Sequence, residues 1–171
     1  MSASAARLAQ RAASKVVVGM ADMKVCADPD AVLVTYALGS CIAVLAWDPE
    51  ARVGGMLHFM LPLSKKHPKK ASTHPFMFAD TGVPHMFKLL YGMGATKKGL
   101  VVKVTGGANV LDDKGLFQIG KRNHAVVRKM FWQNGILIAA QDVGGCSSRT
   151  ATLHVGTGEA AIFSNNVEVP L

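Results

Sequence analysis

The chain is expected to fold as a layered α/β (α+β) domain built around a mixed sheet. Three features of its 171 residues point there. Short β-branched or apolar runs broken by turn residues fill the first third, and two amphipathic segments frame one further apolar run. Three more short runs then close the chain. Half of the residues are hydrophobic and 18% are charged, which suits a buried core and argues against a largely disordered chain.

The elements follow in order. Residues 1–15, rich in Ala and Ser, read as a flexible leader, and 16–171 as a single domain. The apolar stretch at 16–21 is too short for a signal peptide. Strands are expected at 24–27, 31–38, 41–47 and 53–61, punctuated by Asp28-Pro29-Asp30, Gly39-Ser40 and Asp48-Pro49-Glu50. The segment 64–75, "SKKHPKKASTHP", is a basic loop. A helix follows at 80–94, where Val83, Met86, Phe87 and Leu90 recur at helical spacing behind Asp80 or Thr81 as N-cap. A strand at 100–108 runs into a glycine turn. The helix at 122–133 buries Val126, Val127, Met130 and Phe131, with "GKRN" (120–123) as its capped start. Strands return at 136–145, 149–155 and 159–163.

Formal net charge is +8, but its placement weakens any nucleic-acid reading. Arg7, Arg11 and Lys15 lie in the leader, and Lys65, Lys66, Lys69 and Lys70 in the basic loop. The other 12 of the 19 basic residues face 11 acids, so the body is nearly neutral and offers no phosphate-binding face. No apolar run is long enough to insert into a membrane. Three cysteines, 26, 41 and 146, lack C-x-x-C spacing, which argues against a disulfide framework or zinc. No cofactor is expected, and the setting expected is the cytoplasm.

Cys41 stands where the Gly39-Ser40 turn gives way to an apolar run. Two readings fit: a small buried hydrophobe, or a nucleophile held at a bend. A thiol nucleophile needs a base within hydrogen-bond reach. Of six histidines, His58 is placed by hairpin arithmetic. If 41–47 and 53–60 pair about a turn near Glu50, opposed positions sum to about 100, and Cys41 faces residue 59 give or take one. A bulge at Gly54-Gly55 would bring His58 onto the face of Cys41. A core histidine in "MLHFML" fits the same pattern. Backbone N–H groups at Gly39 and Ser40 could hold an oxyanion. Thr35 could orient the imidazole, although a simple meander would leave it two strands from His58. Gln141, Asp142, Ser147 and Arg149 in "QDVGGCSSRT" form either a polar shell for the site or a structural glycine turn.

Six ordered blocks carry a resemblance: "TYALGSCIAV", "GGMLHFMLP", "FADTGVPHMFKLLYGMGA", "KVTGGANVL", "FQIGKRN" and "DVGGCSSRT" followed by "TGE". Over roughly residues 17–165 the chain resembles the CheD family of chemoreceptor glutamine deamidases. The resemblance implies an α-β-β-α type sandwich similar to toxin glutamine deamidases. It implies a nucleophile at Cys41, a general base at His58 and a third member at Thr35. It also implies hydrolysis of receptor glutamine side chains through a cysteine thioester, in chemotaxis adaptation. The partners implied are the cytoplasmic domain of a chemoreceptor and a CheC-type phosphatase. A non-catalytic module docking on either partner is the alternative. One departure is Ala37-Leu38-Gly39, where the family frequently has Gly-Leu-Gly.

Overall fold

The computed structural model describes residues 13–110 and 118–171. It shows a layered α/β sandwich of two mixed five-stranded sheets. The first sheet holds β1 (Ser14–Val17), β3 (Ala31–Leu38), β8 (Arg149–His154), β9 (Ala160–Ser164) and β10 (Val167–Pro170), in that order. The second runs β2 (Asp22–Cys26), β5 (Val53–Phe59), β4 (Ile42–Asp48), β6 (Val101–Gly106), β7 (Ile138–Val143). Both sheets are mixed because β1–β3 and β6–β7 are parallel pairs among antiparallel ones. A short helix α1 (Pro68–Thr73) lies inside the basic segment, and α2 (Ala79–Gly92) and α3 (Ile119–Gln133) are longer.

Strand periodicity divides the core in two. Along β4, Ile42, Val44 and Ala46 point to the helices, where they meet Val83, Met86, Leu90, Val127 and Phe131. Ala43 and Leu45 point the other way, onto Leu33, Leu38, Ala151 and Leu153 of the first sheet. All seven residues of β5 are buried, because helices cover one face and the first sheet covers the other. Its Leu57 and Phe59 belong to the helix side and Met56 to the inter-sheet side. Each such large side chain contributes about 1.5–3 kcal/mol by burial. Among the described residues both long helices pack on the second sheet, so the layers run sheet, sheet, helices.

Several local expectations change. Ser14 and Lys15, expected in the leader, begin strand β1, which pairs alongside β3; residues 1–12 of the leader lie outside the described residues. The β4–β5 ladder runs without a bulge, from Ile42↔Phe59 to Asp48↔Val53. Gly54 and Gly55 serve close packing instead. A Cβ on Gly54 would sit 3.3 Å from Val155, and one on Gly55 would sit 3.3 Å from Met86. Neither Asp80 nor Thr81 caps α2, whose N-cap is Phe78. Asp80 instead accepts the Ser64 backbone N–H and hydroxyl, anchoring the basic segment to the helix.

Ala37 adopts φ 55°, the left-handed region that favours glycine, at an irregularity in β3 between Thr35 and Leu38. The departure from Gly-Leu-Gly thus carries strain of about 1–2 kcal/mol. Glycine would relieve it, less the roughly 0.4–1 kcal/mol it adds to unfolded-chain entropy. Ala37→Gly should therefore raise the midpoint of urea unfolding, and a lower midpoint would show that the strain is absent.

Candidate active site

Thr35 and His58 meet between the sheets, and Cys41 borders the same inter-sheet core. His58 shares the inward face of β5 with Met56, and Thr35 shares the inward face of β3 with Leu33. The chain does not form a three-strand meander. Residues 39–41 carry it from β3 in one sheet to β4 in the other, so Thr35 faces His58 across the sandwich. The Thr35 hydroxyl lies 2.8 Å from His58 Nδ1, and both residues are buried.

The proton on that bond can be assigned. A threonine hydroxyl carries one hydrogen. Thr35 donates it to the Val18 carbonyl at 2.7 Å, just past the end of β1. Oγ1 is therefore left as an acceptor, and His58 donates Nδ1–H to it. The neutral ring then keeps its lone pair on Nε2, which is buried without a hydrogen-bond partner. Burial pushes the His58 pKa down from 6.5 to about 4, against an opposing pull from the Asp22 carboxylate. Asp22 stands directly opposite His58 in the β2–β5 ladder. It also accepts the Gly19 and Met23 N–H groups, shaping the turn that presents Val18. At neutral pH the site thus holds an unprotonated imidazole with one free nitrogen.

Cys41 lies one residue before β4, half-buried and packed against the inter-sheet core. The β4–β5 register pairs Ala43 with His58, so opposed positions sum to 101 rather than about 100. Cys41, two residues before Ala43, is a diagonal neighbour of His58 on the same face, without the bulge expected. Diagonal positions are about 7–8 Å apart, still within reach of side chains that turn toward each other. No hydrogen bond joins the resting thiol to Nε2. Desolvation raises the Cys41 pKa, while its own backbone N–H, close to the sulfur, works in the other direction. Both shifts favour a neutral thiol and a neutral imidazole in the resting protein.

The backbone around Cys41 is held from several sides. Gly107 N–H donates to the Cys41 carbonyl at 2.7 Å, and Ala108 N–H to that of Gly39 at 2.8 Å. Gly106 and Gly107 have φ of 107° and 63°, and a Cβ on Gly106 would collide with the Cys41 carbonyl. The "QDVGGCSSRT" residues brace this turn. Gly144 N–H donates to Gly106 O and Asn109 N–H to Gly145 O. Arg149 grips Asp142 at 2.6 and 3.0 Å and donates to the Ser147 and Gly144 carbonyls. Gln141 meets His124 at the surface. The hydrogen bonds of Asp142, Ser147 and Arg149 thus lie within the brace rather than on Cys41, His58 or Thr35.

A cleft of about 140 Å³ lined by Gly107, Ala108, Asn109, Gly144 and Gly145 opens beside the turn. A larger apolar groove, about 370 Å³, lies between α2 and α3 on the far side of the second sheet and contains none of these groups. Among the described residues no His, Cys, Asp or Glu side chains gather as a metal ligand set. Sequence reading missed Val18, which acts through a carbonyl, and Asn123, a polar residue on the core-facing stripe Gly120, Asn123, Val127, Phe131 of α3.

Known proteins bear on this geometry. A family model described as CheD, chemotactic sensory transduction, matches residues 60–164. A probable chemoreceptor glutamine deamidase CheD 1 of Syntrophus aciditrophicus is 49% identical over 150 residues, covering 88% of this chain and 94% of that protein. The corresponding CheD 2 of Anaeromyxobacter dehalogenans is 48% identical over 158 residues, 92% of this chain and 99% of that one. A probable chemoreceptor glutamine deamidase CheD of Solibacter usitatus is 44% identical over 157 residues, 92% and 93% of the two chains. Matches of this length necessarily include Thr35, Cys41 and His58, which lie ahead of the family-model match.

Proposed function

The chain belongs to the CheD family of chemotactic sensory transduction proteins, and on that premise we propose that it deamidates glutamine side chains in the cytoplasmic domain of a chemoreceptor. The observation that carries the catalytic reading is the unpartnered Nε2 lone pair of His58, fixed by Thr35 and Val18 beside the Cys41 turn.

In the proposed reaction His58 Nε2 takes the proton from Cys41 Sγ as sulfur attacks the carboxamide carbon. The resulting oxyanion faces backbone N–H groups at Cys41 and the Gly39-Ser40 turn. As the intermediate collapses, the C–N bond breaks and protonated Nε2 donates to the departing nitrogen, which leaves as ammonia. A thioester remains on Cys41. Water then loses a proton to Nε2 and attacks the thioester, and the proton returns to the leaving sulfur. Glutamate and the original thiol result. Through the cycle Thr35 holds Nδ1–H, so the same nitrogen handles every proton.

Incubating a receptor cytoplasmic domain with the protein should release ammonia and convert specific glutamines to glutamate. Absence of both with folded protein would overturn the reading. Thr35→Val tests the orienting bond. It removes the acceptor for Nδ1–H while keeping the shape, so kcat should fall roughly 10²-fold, less than the about 10⁴-fold seen where a charged carboxylate orients the ring. The imidazole ¹⁵N shifts should report mixed tautomers. An unchanged tautomer with unchanged kcat would remove Thr35 from the mechanism.

Docking on a CheC-type phosphatase is proposed as an additional role. Trp132 and Leu137, 80% and 86% exposed near the end of α3, supply apolar surface of the kind that docking uses. With a receptor's cytoplasmic domain as substrate, the cytoplasm is the setting we propose. No helix among the described residues is long and apolar enough to cross a membrane.

A further inference from the structure

Asn123 is a buried amide on a helix face that otherwise packs the core. Val127 and Phe131, one and two turns further on, are both buried and apolar. An amide in that setting is costly unless it is hydrogen-bonded. Asn123 Nδ2 donates to two carbonyls, that of Ser40 at 3.0 Å and that of Met60 at 2.8 Å. Two acceptors leave no choice of amide orientation, and Oδ1 is left buried without a partner. This is not the capped helix start expected from "GKRN": the N-cap is Gln118 and makes no side-chain cap bond.

The two carbonyls sit where the β4–β5 ladder ends. Its last pair is Ile42↔Phe59, and beyond it Ser40 and Met60 are no longer tied to each other through the ladder. Asn123 bridges that gap. It thereby joins the residue before Cys41 to a residue two beyond His58.

A trans peptide is planar, and its C=O and N–H point in opposite directions. The described chain contains no cis peptide. The Ser40 carbonyl is drawn to α3, on the helix side of the sheet. The N–H of the same peptide, which belongs to Cys41, must then point to the opposite side. That is the inter-sheet side, where the Cys41 side chain packs.

We propose that Asn123 is a positioning residue for the oxyanion hole: by holding the Ser40 carbonyl against the end of β5 it aims the Cys41 N–H at the carboxamide that Cys41 attacks. Asn123 touches neither substrate nor thiol and acts through the Ser40–Cys41 peptide. The inference rests on the deamidase reading for its chemistry and on the hydrogen bonds for its geometry.

The test compares Asn123→Ala and Asn123→Asp with wild type, in protein shown to be folded by its melting temperature. The aspartate variant keeps the shape but sets an acceptor against two carbonyls. With a receptor cytoplasmic domain as substrate, kcat should fall about 10²–10³-fold, as expected for a lost oxyanion donor, with little change in KM. Alkylation of Cys41 by iodoacetamide displaces iodide at carbon and builds no oxyanion, so its rate should fall far less than kcat. A merely structural role would lower both rates together or neither, and either result would overturn the proposal. A second measurement does not depend on turnover. The residual dipolar coupling of the Cys41 N–H should change in both variants while those of β4 and β5 are retained. An unchanged Cys41 coupling would refute the positioning role even if wild type proved inactive, whereas inactive wild type alone would count against the deamidase reading.

Discussion

Cys41→Ala should abolish deamidation, lowering kcat by at least about 10⁴-fold, because loss of a covalent nucleophile leaves only binding and oxyanion stabilisation. The chemistry gives no substitute. Cys26 lies in β2 with its sulfur accepting from Asp28 N–H, and Cys146 is exposed in the brace turn. Neither is joined to the Thr35–His58 relay. The same change should cost the fold about 1 kcal/mol or less, since it removes one half-buried sulfur from the edge of the inter-sheet core. Receptor binding should survive. A variant that binds and does not convert thus separates catalysis from docking, whereas a pure docking module would bind and convert nothing even as wild type.

His58→Gln should lower kcat by at least about 10³-fold, the scale of general acid–base assistance. Its second signature is in stability. His58 has a folded pKa near 4 and an ordinary value of 6.5, so between those values the unfolded chain binds the extra proton. Stability is therefore full above pH 6.5 and is lost as pH falls toward 4. The 2.5-unit difference corresponds to at most about 3 kcal/mol. Asp22 and Asp48 are held below the usual carboxylate value, so their losses come at more acidic pH, below about 3.8. Urea unfolding at pH 7 and pH 5 should thus show wild type weaker at pH 5 and His58→Gln nearly level. Equal slopes in the two proteins would mean that His58 is not buried neutral.

The β4–β5 hairpin was legible because Asp48-Pro49-Glu50 separates two apolar runs, and Asp48 does organise that turn through the Glu50 and Ala51 N–H groups. Both long helices were legible from their periodicity. What could not be read was the sheet to which β3 belongs. Leu38-Gly39-Ser40 suits a hairpin and a crossing between sheets equally well, and only the crossing brings Thr35 to His58. Strand β1 was missed because three of its four residues are exposed and its parallel partner β3 lies beyond the whole of β2. Strand β10 was missed because its alternation, Val167-Glu168-Val169, is only three residues long and ends at Pro170. Val18 left no trace because it acts through a main-chain carbonyl. Asn123 did leave one, as a polar residue on an apolar helix stripe, but a side chain that holds backbone carbonyls gives no sign of which ones.

Acid-quenching the protein during turnover of a receptor cytoplasmic domain, followed by peptide mass spectrometry, tests the central claim most directly. The thioester account predicts a receptor glutamine side chain joined covalently to Cys41, absent from Cys41→Ala, with glutamate appearing at the same receptor position. Glutamate formed at an undiminished rate by Cys41→Ala, or an adduct on Cys26 or Cys146 instead, would contradict it.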